Sequence, residues 1–416
     1  LIEVALFNGM PGIRVQYIQG PVWAKTGEQL RKAVVYGNNP LTGKPVAQEI
    51  VDKLTSPLSA DDTKTGTVNR DMGPATYTGT AAELQELFLE KRYTDFMPVI
   101  LPTEELVDEM LKNTSHEPDE QLGRMNPGSG AGETWAYTVK TAAINAVMAG
   151  AKPEYFPVIL ALGSSGQTAV NVSDNGFAAG AVINGNIRDE IGLNYEEGAV
   201  GPYAHANTAI GRAWNLLSIN GGNCGKVGTT YMGTVGNAQN ALALIIAENE
   251  EKSPFQPLSV RRGFQKGENI VTLFTGWGIL SAKNWKVNVW EDVMDYPQTA
   301  KAIYDQQSPG LFGTILVLSP PIANFIADDG YDTVEKFTEF VTAPMPQVTI
   351  SANQAGAQVV TVVTPPSTSK PQPKGKSGGF RGGSNFHVVV TGGSNNNYWM
   401  AGGMVPTRSI SIDDWR

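Results

Sequence analysis

The 416-residue chain carries 31 Lys and Arg against 40 Asp and Glu, a formal charge of −9, with 41% apolar and 17% charged residues. That length suits two or three domains or one large α/β body. The acidic balance leaves no broad basic face for nucleic acid, no run of 18 apolar residues marks a membrane span, and a single cysteine excludes an internal disulfide framework or a Cys-rich metal site.

The low charged share points to surface covered in a homo- or hetero-oligomer. The sequence opens at Leu1 without a signal-peptide pattern. A cytoplasmic location is the default expectation, while a start at Leu1 rather than Met leaves room for a removed signal.

In chain order, residues 1–75 read as an N-terminal extension or arm. It holds one short amphipathic helix near 45–54, with Val46, Ile50, Val51 and Leu54 on one stripe and Pro57 as its stop. Residues 76–345 read as an α/β core. Thr80 and Glu83 make a capping box before one helix, and Thr103, followed by Glu104 and Glu105, caps the next.

TWAYTVKTAAINAVMAGA reads as a third helix, and the apolar run FPVILALG has strand length. GAVINGNI, ALALIIAE, ENIVTLFT and GTILVLS read as further strands. RDEIGL, ANTAIGRAWNLLS, SPPIANFIADDGY and TVEKFTEFV read as helices. Strands alternating with helices and apolar on both faces predict a layered α/β fold with a mixed or parallel sheet and flanking helices.

Residues 346–416 form a C-terminal segment. Its Pro/Gly-rich linker, 364–385, has three lysines, one arginine and no acid, and is expected to lie against protein, across a subunit boundary. A strand, FHVVVTGG, follows it, and then a polar tail.

The chemistry concentrates between Gly201 and Phe264. AENEE follows an apolar strand, at the position where open α/β sheets place their sites. Alternation puts Glu248 and Glu250 on one side and Asn249 and Glu251 on the other. Paired carboxylates suit a hard cation such as Mg²⁺ or an acid–base couple. Solvated loop charges, or pairing with Arg261 and Arg262, is the plainer reading.

GPYAHANTAIGRAW sets His205, Asn207 and Thr208 around a helix start with Arg212 a turn later. Asn207 suits an N-cap, and a helix start flanked by His and Arg suits a carboxylate or phosphate; a plain cap with a surface Arg is the alternative. The glycine turns INGNIRDE, INGGNCG, GGSNNN and GSGAGE match no nucleotide-binding fingerprint. His116, His205 and His387 are scattered and make a His₃ site only by converging. Any metal would then be held mostly by oxygen.

KPVAQEIVDKLTSPLS, YTDFMPVILPTEELVDEML, INAVMAGAKPEYFPVIL, VINGNIRDEIGLNYEEG, ANTAIGRAW, AENEE with PLSVRRGF, LSPPIANFIADDGY and HVVVTGG together resemble an uncharacterised bacterial family of large proteins associated with UGSC-motif (seleno)proteins. That resemblance implies a catabolic setting and a small thiol- or selenol-bearing partner. The chain itself has no UGSC or CGSC motif, so such chemistry would come from another chain; the resemblance also implies no need for a cysteine at Cys224, which weakens it as a nucleophile.

The expected function is an enzyme or enzyme subunit acting on a small anionic or polar molecule, as a lyase, hydrolase or reductase. His205, Glu248, Glu250 or Glu251 would move protons. Asn207, Thr208, Arg212, Arg261 and Arg262 would bind the substrate. The alternative is a non-catalytic assembly subunit whose partner chain carries the chemistry.

Overall fold

The computed structural model describes residues 5, 9–18, 25–66, 75–127, 134–172, 176–228, 230, 231, 233, 235–281, 295–307, 313–343, 347–352, 358–363, 386–395 and 397–416. The linker 364–385 and the GSGAGE turn at 128–133 therefore lie outside the described residues. The chain splits into two units, Leu1–Asp71 and Met72–Arg416.

In the first unit a short helix, α1 (Gly27–Leu30), opens on a Thr26–Gln29 capping box. The expected arm helix is α2 (Val46–Thr55), which ends just before Pro57. Its apolar stripe is not its buried face: Val46 is buried, but Val51 and Leu54 are exposed. Glu49 takes an inward place because a loop feeds it donors. Its carboxylate accepts from Thr42 Oγ1, Asn39 Nδ2 and Gln16 Nε2 at 2.5, 2.7 and 2.8 Å. Those three bonds hold its pKa down to about 2.

The second unit begins with α3 (Ala81–Glu90) and α4 (Glu104–Leu111), opened by Thr80 with Glu83 and by Thr103 as their spacing predicts. The single helix expected at TWAYTVKTAAINAVMAGA is two elements. Trp135–Thr138 is β2, paired antiparallel with β1 (Gln121–Met125), and Thr138 caps α5 (Val139–Met148). FPVILALG is likewise corrected from strand to helix: it forms α6 (Phe156–Ser164). A 3₁₀ turn at Pro153–Tyr155 leads in, with a proline in the first turn. Every residue from Phe156 to Gly163 is buried, so no polar face marks the helical period.

The main sheet then accumulates from β3 (Asn171–Val172), β4 (Gly176–Asn184), α7 (Ile187–Glu190), α8 (His205–Asn220), β5 (Leu244–Ala247), α9 (Leu258–Arg261), β6 (Ile270–Ser281), α10 (Tyr296–Gln307) and β7 (Thr314–Leu318). It continues with α11 (Pro320–Asp328), α12 (Val334–Thr342), a separate hairpin β8 (Gln347–Ala352) and β9 (Gln358–Val363), β10 (Phe386–Val390) and β11 (Trp399–Ser411). Strand order is β10-β7-β11-β6-β4-β3, and β5 also pairs with β4. β4 with β5 and β7 with β10 are parallel, whereas β11 runs antiparallel to both its neighbours. The fold is a mixed α/β sheet with flanking helices, and it is curled.

Three apolar clusters follow from that curl. On one outer face α5, α6 and α8 pack against Ala181, Ile183, Ile245, Val271 and Leu273. On another, α10, α11 and α12 pack against Leu316, Leu318, Val388 and Val390. The inner face is shared: Val182, Ile246, Phe274, Ile315, Val389 and Met404, one from each of six strands, meet Leu258 of α9.

The segment read as a polar tail is β11, a 13-residue strand between β6 and β7. Gly402, Gly403 and Pro406 mask it in the sequence. They serve its bends: at Gly276 of β6 an added Cβ would lie 2.0 Å from the Gly403 carbonyl oxygen, beside a shift in register.

Candidate functional site

AENEE leaves β5 where β4 also ends. Glu248 is buried; its Oε2 accepts from Asn184 Nδ2 at 2.6 Å and from the Leu258 backbone N–H at 2.7 Å, tying β4 to the start of α9. Glu250 Oε1 accepts from Asn184 Nδ2 at 3.0 Å and from Gly185 N–H at 2.9 Å. Glu248 and Glu250 thus share one donor, as alternation predicts.

Glu251, on the other side, is held by Arg188 of α7 through two bonds, 2.8 and 3.1 Å. Arg188 is 3% exposed; its Nε donates to the Gly185 carbonyl, its Nη1 to the Glu248 carbonyl, and its guanidinium lies 4.8 Å from the Tyr195 ring centroid. Asn249 completes the clasp by donating to the carbonyls of Tyr195 and Gly392 and, from its backbone, to Val390 of β10.

The electrostatics match this bonding. Burial pushes the Glu248 carboxyl above the ordinary range, partly offset by Arg261 and Asn184. Arg188 draws Glu251 below it. Burial opposes the Arg188 charge, but Glu251 and Glu250 outweigh it and raise its pKa. Tyr195, donating to Asp189 at 2.6 Å, is pushed up to about 12. Each acid of AENEE is therefore matched by a nearby donor. Among the described residues, no three His, Cys, Asp or Glu side chains are grouped to hold a metal ion.

The residues of GPYAHANTAIGRAW have other neighbours. α8 starts at His205 after Ala204, so Asn207 lies inside the first turn and is not the N-cap. Its amide is spent on the Asn194 backbone, with Oδ1 accepting at 2.9 Å and Nδ2 donating at 3.1 Å, and on the Ile245 carbonyl. His205 is exposed, with Nδ1 3.2 Å from the Tyr155 hydroxyl, and Thr208 is exposed beside it. Arg212 is clamped by Asp95 at 2.8 and 2.9 Å and donates to the Pro98 carbonyl. Cys224 is buried, and burial pushes its thiol up to about 12, which suits no nucleophile at neutral pH.

Arg261 and Arg262, at the C-terminal end of α9, differ from all of these. Arg261 donates to the Gln256 and Val388 carbonyls at 2.9 and 2.6 Å. Its contact with Glu248 is 3.7 Å, too long for a hydrogen bond. Arg262 donates to Ser409 Oγ at 3.3 Å and has no ion pair among the described residues. Burial lowers the pKa of both.

Both arginines act on His387, whose strand partner is Ile315 and whose ring lies 6.3 Å from that of Phe274. Burial, then the two positive charges, lower its pKa to about 4. His387 carries no separate signal in FHVVV, which reads simply as a strand; only its approach to α9 marks it. Phe274 and Ile315 also line a small apolar cavity inside the curl, with Val182, Ile246 and Met404.

No family model, no curated protein and no solved structure matches this chain.

Proposed function

We propose that the chain is an enzyme or enzyme subunit acting on a small anionic or polar molecule, and that Arg261 and Arg262 receive the anion beside His387. The observation that carries this reading is an imbalance of charge. In a chain of net charge −9, the exposed Arg262 has no ion pair among the described residues, Arg261 meets Glu248 only at 3.7 Å, and both positive charges help to lower the pKa of His387. A guanidinium offers a planar fork of donors suited to carboxylate, phosphate or sulfate.

Sulfate or phosphate binding should raise the melting temperature relative to chloride at equal ionic strength, because a ligand of the native state stabilises it by mass action. Arg262→Met should abolish that gain and Arg212→Met should keep it. Equal gains in both variants would sink the assignment.

A second reading is the assembly subunit whose partner chain, thiol- or selenol-bearing in the family resembled, carries the chemistry. Two exposed aromatics favour it. Phe96 and Tyr203 have φ of 64° and 71°, a backbone region costly for bulky side chains. Light scattering of the Tyr203→Asp protein, with its mass unchanged from wild type, would count against it.

A further inference from the structure

We propose that Asn184 and Gly185 form a self-modifying site, in which Glu250 drives the Asn184 side chain to close on the Gly185 nitrogen as a succinimide and release ammonia. The AENEE loop then has a chemical role beside its fastening role, independent of the anion reading above.

Asn184 ends β4 and is fully buried, and Gly185 follows it with φ of 93°. With no side chain at residue 185, little hinders the backbone nitrogen on its way to the Asn184 Cγ. Glu250 Oε1 contacts both nitrogens of the reaction. It lies 2.9 Å from the Gly185 N–H that attacks and 3.0 Å from the Asn184 Nδ2 that leaves. Both distances are within the reach of a general base, so one oxygen can take up the proton and pass it on.

The neighbours hold this arrangement. Glu248 Oε2 accepts from the same Nδ2 at 2.6 Å and fixes the leaving group. Arg188 lies 3.6 Å from Glu250 Oε1, and its Nε donates to the Gly185 carbonyl at 2.8 Å, which steadies the attacking peptide. Asn184 Oδ1 is buried without a hydrogen-bond partner. An unbonded buried carbonyl raises the energy of the unreacted amide and leaves its oxygen end untethered.

The step balances within the chain. Gly185 gives its N–H proton to Glu250 while its nitrogen bonds to the Asn184 Cγ, and the C=O electrons move to Oδ1. As that carbonyl re-forms, the Cγ–Nδ2 bond breaks, its electron pair goes to nitrogen, and Glu250 returns the proton. Ammonia leaves, the carboxylate is regenerated, and no co-reactant is consumed. Burial keeps water from the imide, so the ring accumulates before it opens to an aspartyl or isoaspartyl residue. The lost Nδ2 is also the donor that Glu248 and Glu250 share, so the clasp loosens as the protein ages.

Asn220 and Gly221 are the control within the same chain. Asn220 Nδ2 donates to the Tyr93 carbonyl and to Asn145 Oδ1, and the Gly221 N–H donates to the Leu217 carbonyl. Carboxylates take no part in those bonds. The full chain is incubated at pH 6, 7 and 8, digested rapidly in acid, and its peptides weighed for loss of one ammonia. At residue 184 the rate should be flat over that range, because a carboxylate base is already ionised at pH 6. At residue 220 it should rise in proportion to hydroxide.

Unfolding the chain in guanidinium chloride at pH 6 should slow residue 184 roughly 100-fold, the low end of what a positioned base contributes. Glu250→Gln keeps an acceptor for the Gly185 N–H but not the base, and should slow it as much. A native rate at residue 184 that follows hydroxide, that is no faster than in the unfolded chain, or that survives in a folded Glu250→Gln protein overturns the proposal. The comparison of native with unfolded wild type needs no variant, so it decides the matter even if Glu250→Gln folds poorly.

Discussion

Arg188 and Arg262 are in opposite circumstances. Arg188 is 3% exposed yet fully answered: Glu251, two carbonyls and the Tyr195 ring take up its donors and its charge. Arg262 has one weak bond to a hydroxyl and no acid within ion-pair distance among the described residues. The lesson concerns how charge is to be read. A dense polar cluster whose members satisfy one another is a fastening, whereas a cation with no acid beside it has capacity left for something that arrives.

The sharpest way to break this contrast is Arg188→Met. It leaves Glu250 and the Glu248 carbonyl without their cation, and removing one side of a buried ion pair costs about 3–5 kcal/mol. Urea unfolding should report that loss, and a change under 1 kcal/mol would show the clasp to be ornamental.

His387 should come next. Its folded pKa of about 4 lies below the ordinary 6.5, so native and unfolded states both hold it neutral above pH 6.5. As pH falls from 6.5 towards 4 the unfolded chain binds a proton that the native ring refuses, and stability drops by up to ~3 kcal/mol. In His387→Gln that acid limb should be shallower; an unchanged limb would place the titration elsewhere.

Arg262→Met should have the smallest effect, within ~1 kcal/mol in either direction, because no ion pair is lost. A loss comparable to that of Arg188→Met would erase the distinction between the two arginines.

Local chemistry made much of the fold legible. Thr80, Glu83 and Thr103 open their helices because a cap is decided within four residues. Strands β4 to β7 stand out as apolar runs between turns. FPVILALG was ambiguous for a physical reason: a helix buried on all sides has no amphipathic period, and its length permits either structure. β11 was illegible because the glycines and proline that let it bend are residues that ordinarily argue against a strand.

The clustering of AENEE was visible, and so was the shared side of Glu248 and Glu250. Its principal partner was not, because Arg188 lies 63 positions before Glu251 and only the parallel pairing of β4 with β5 brings them together. The same holds for His387, whose lowered pKa owes part to Arg261 and Arg262, far from it in sequence.

The position of β11 bears on how the protein comes to be folded as a nascent chain. Its Ser409 meets Thr272, 137 residues earlier, and the whole strand is inserted between β6 and β7. Until residues 399–411 have left the ribosome, β6 and β7 each present an open edge, and unpaired edges recruit other chains. Pairings this remote in sequence also close slowly. Chains halted before residue 399 should therefore aggregate, and productive folding should depend on how long holdase chaperones shield those two edges before the last strand arrives.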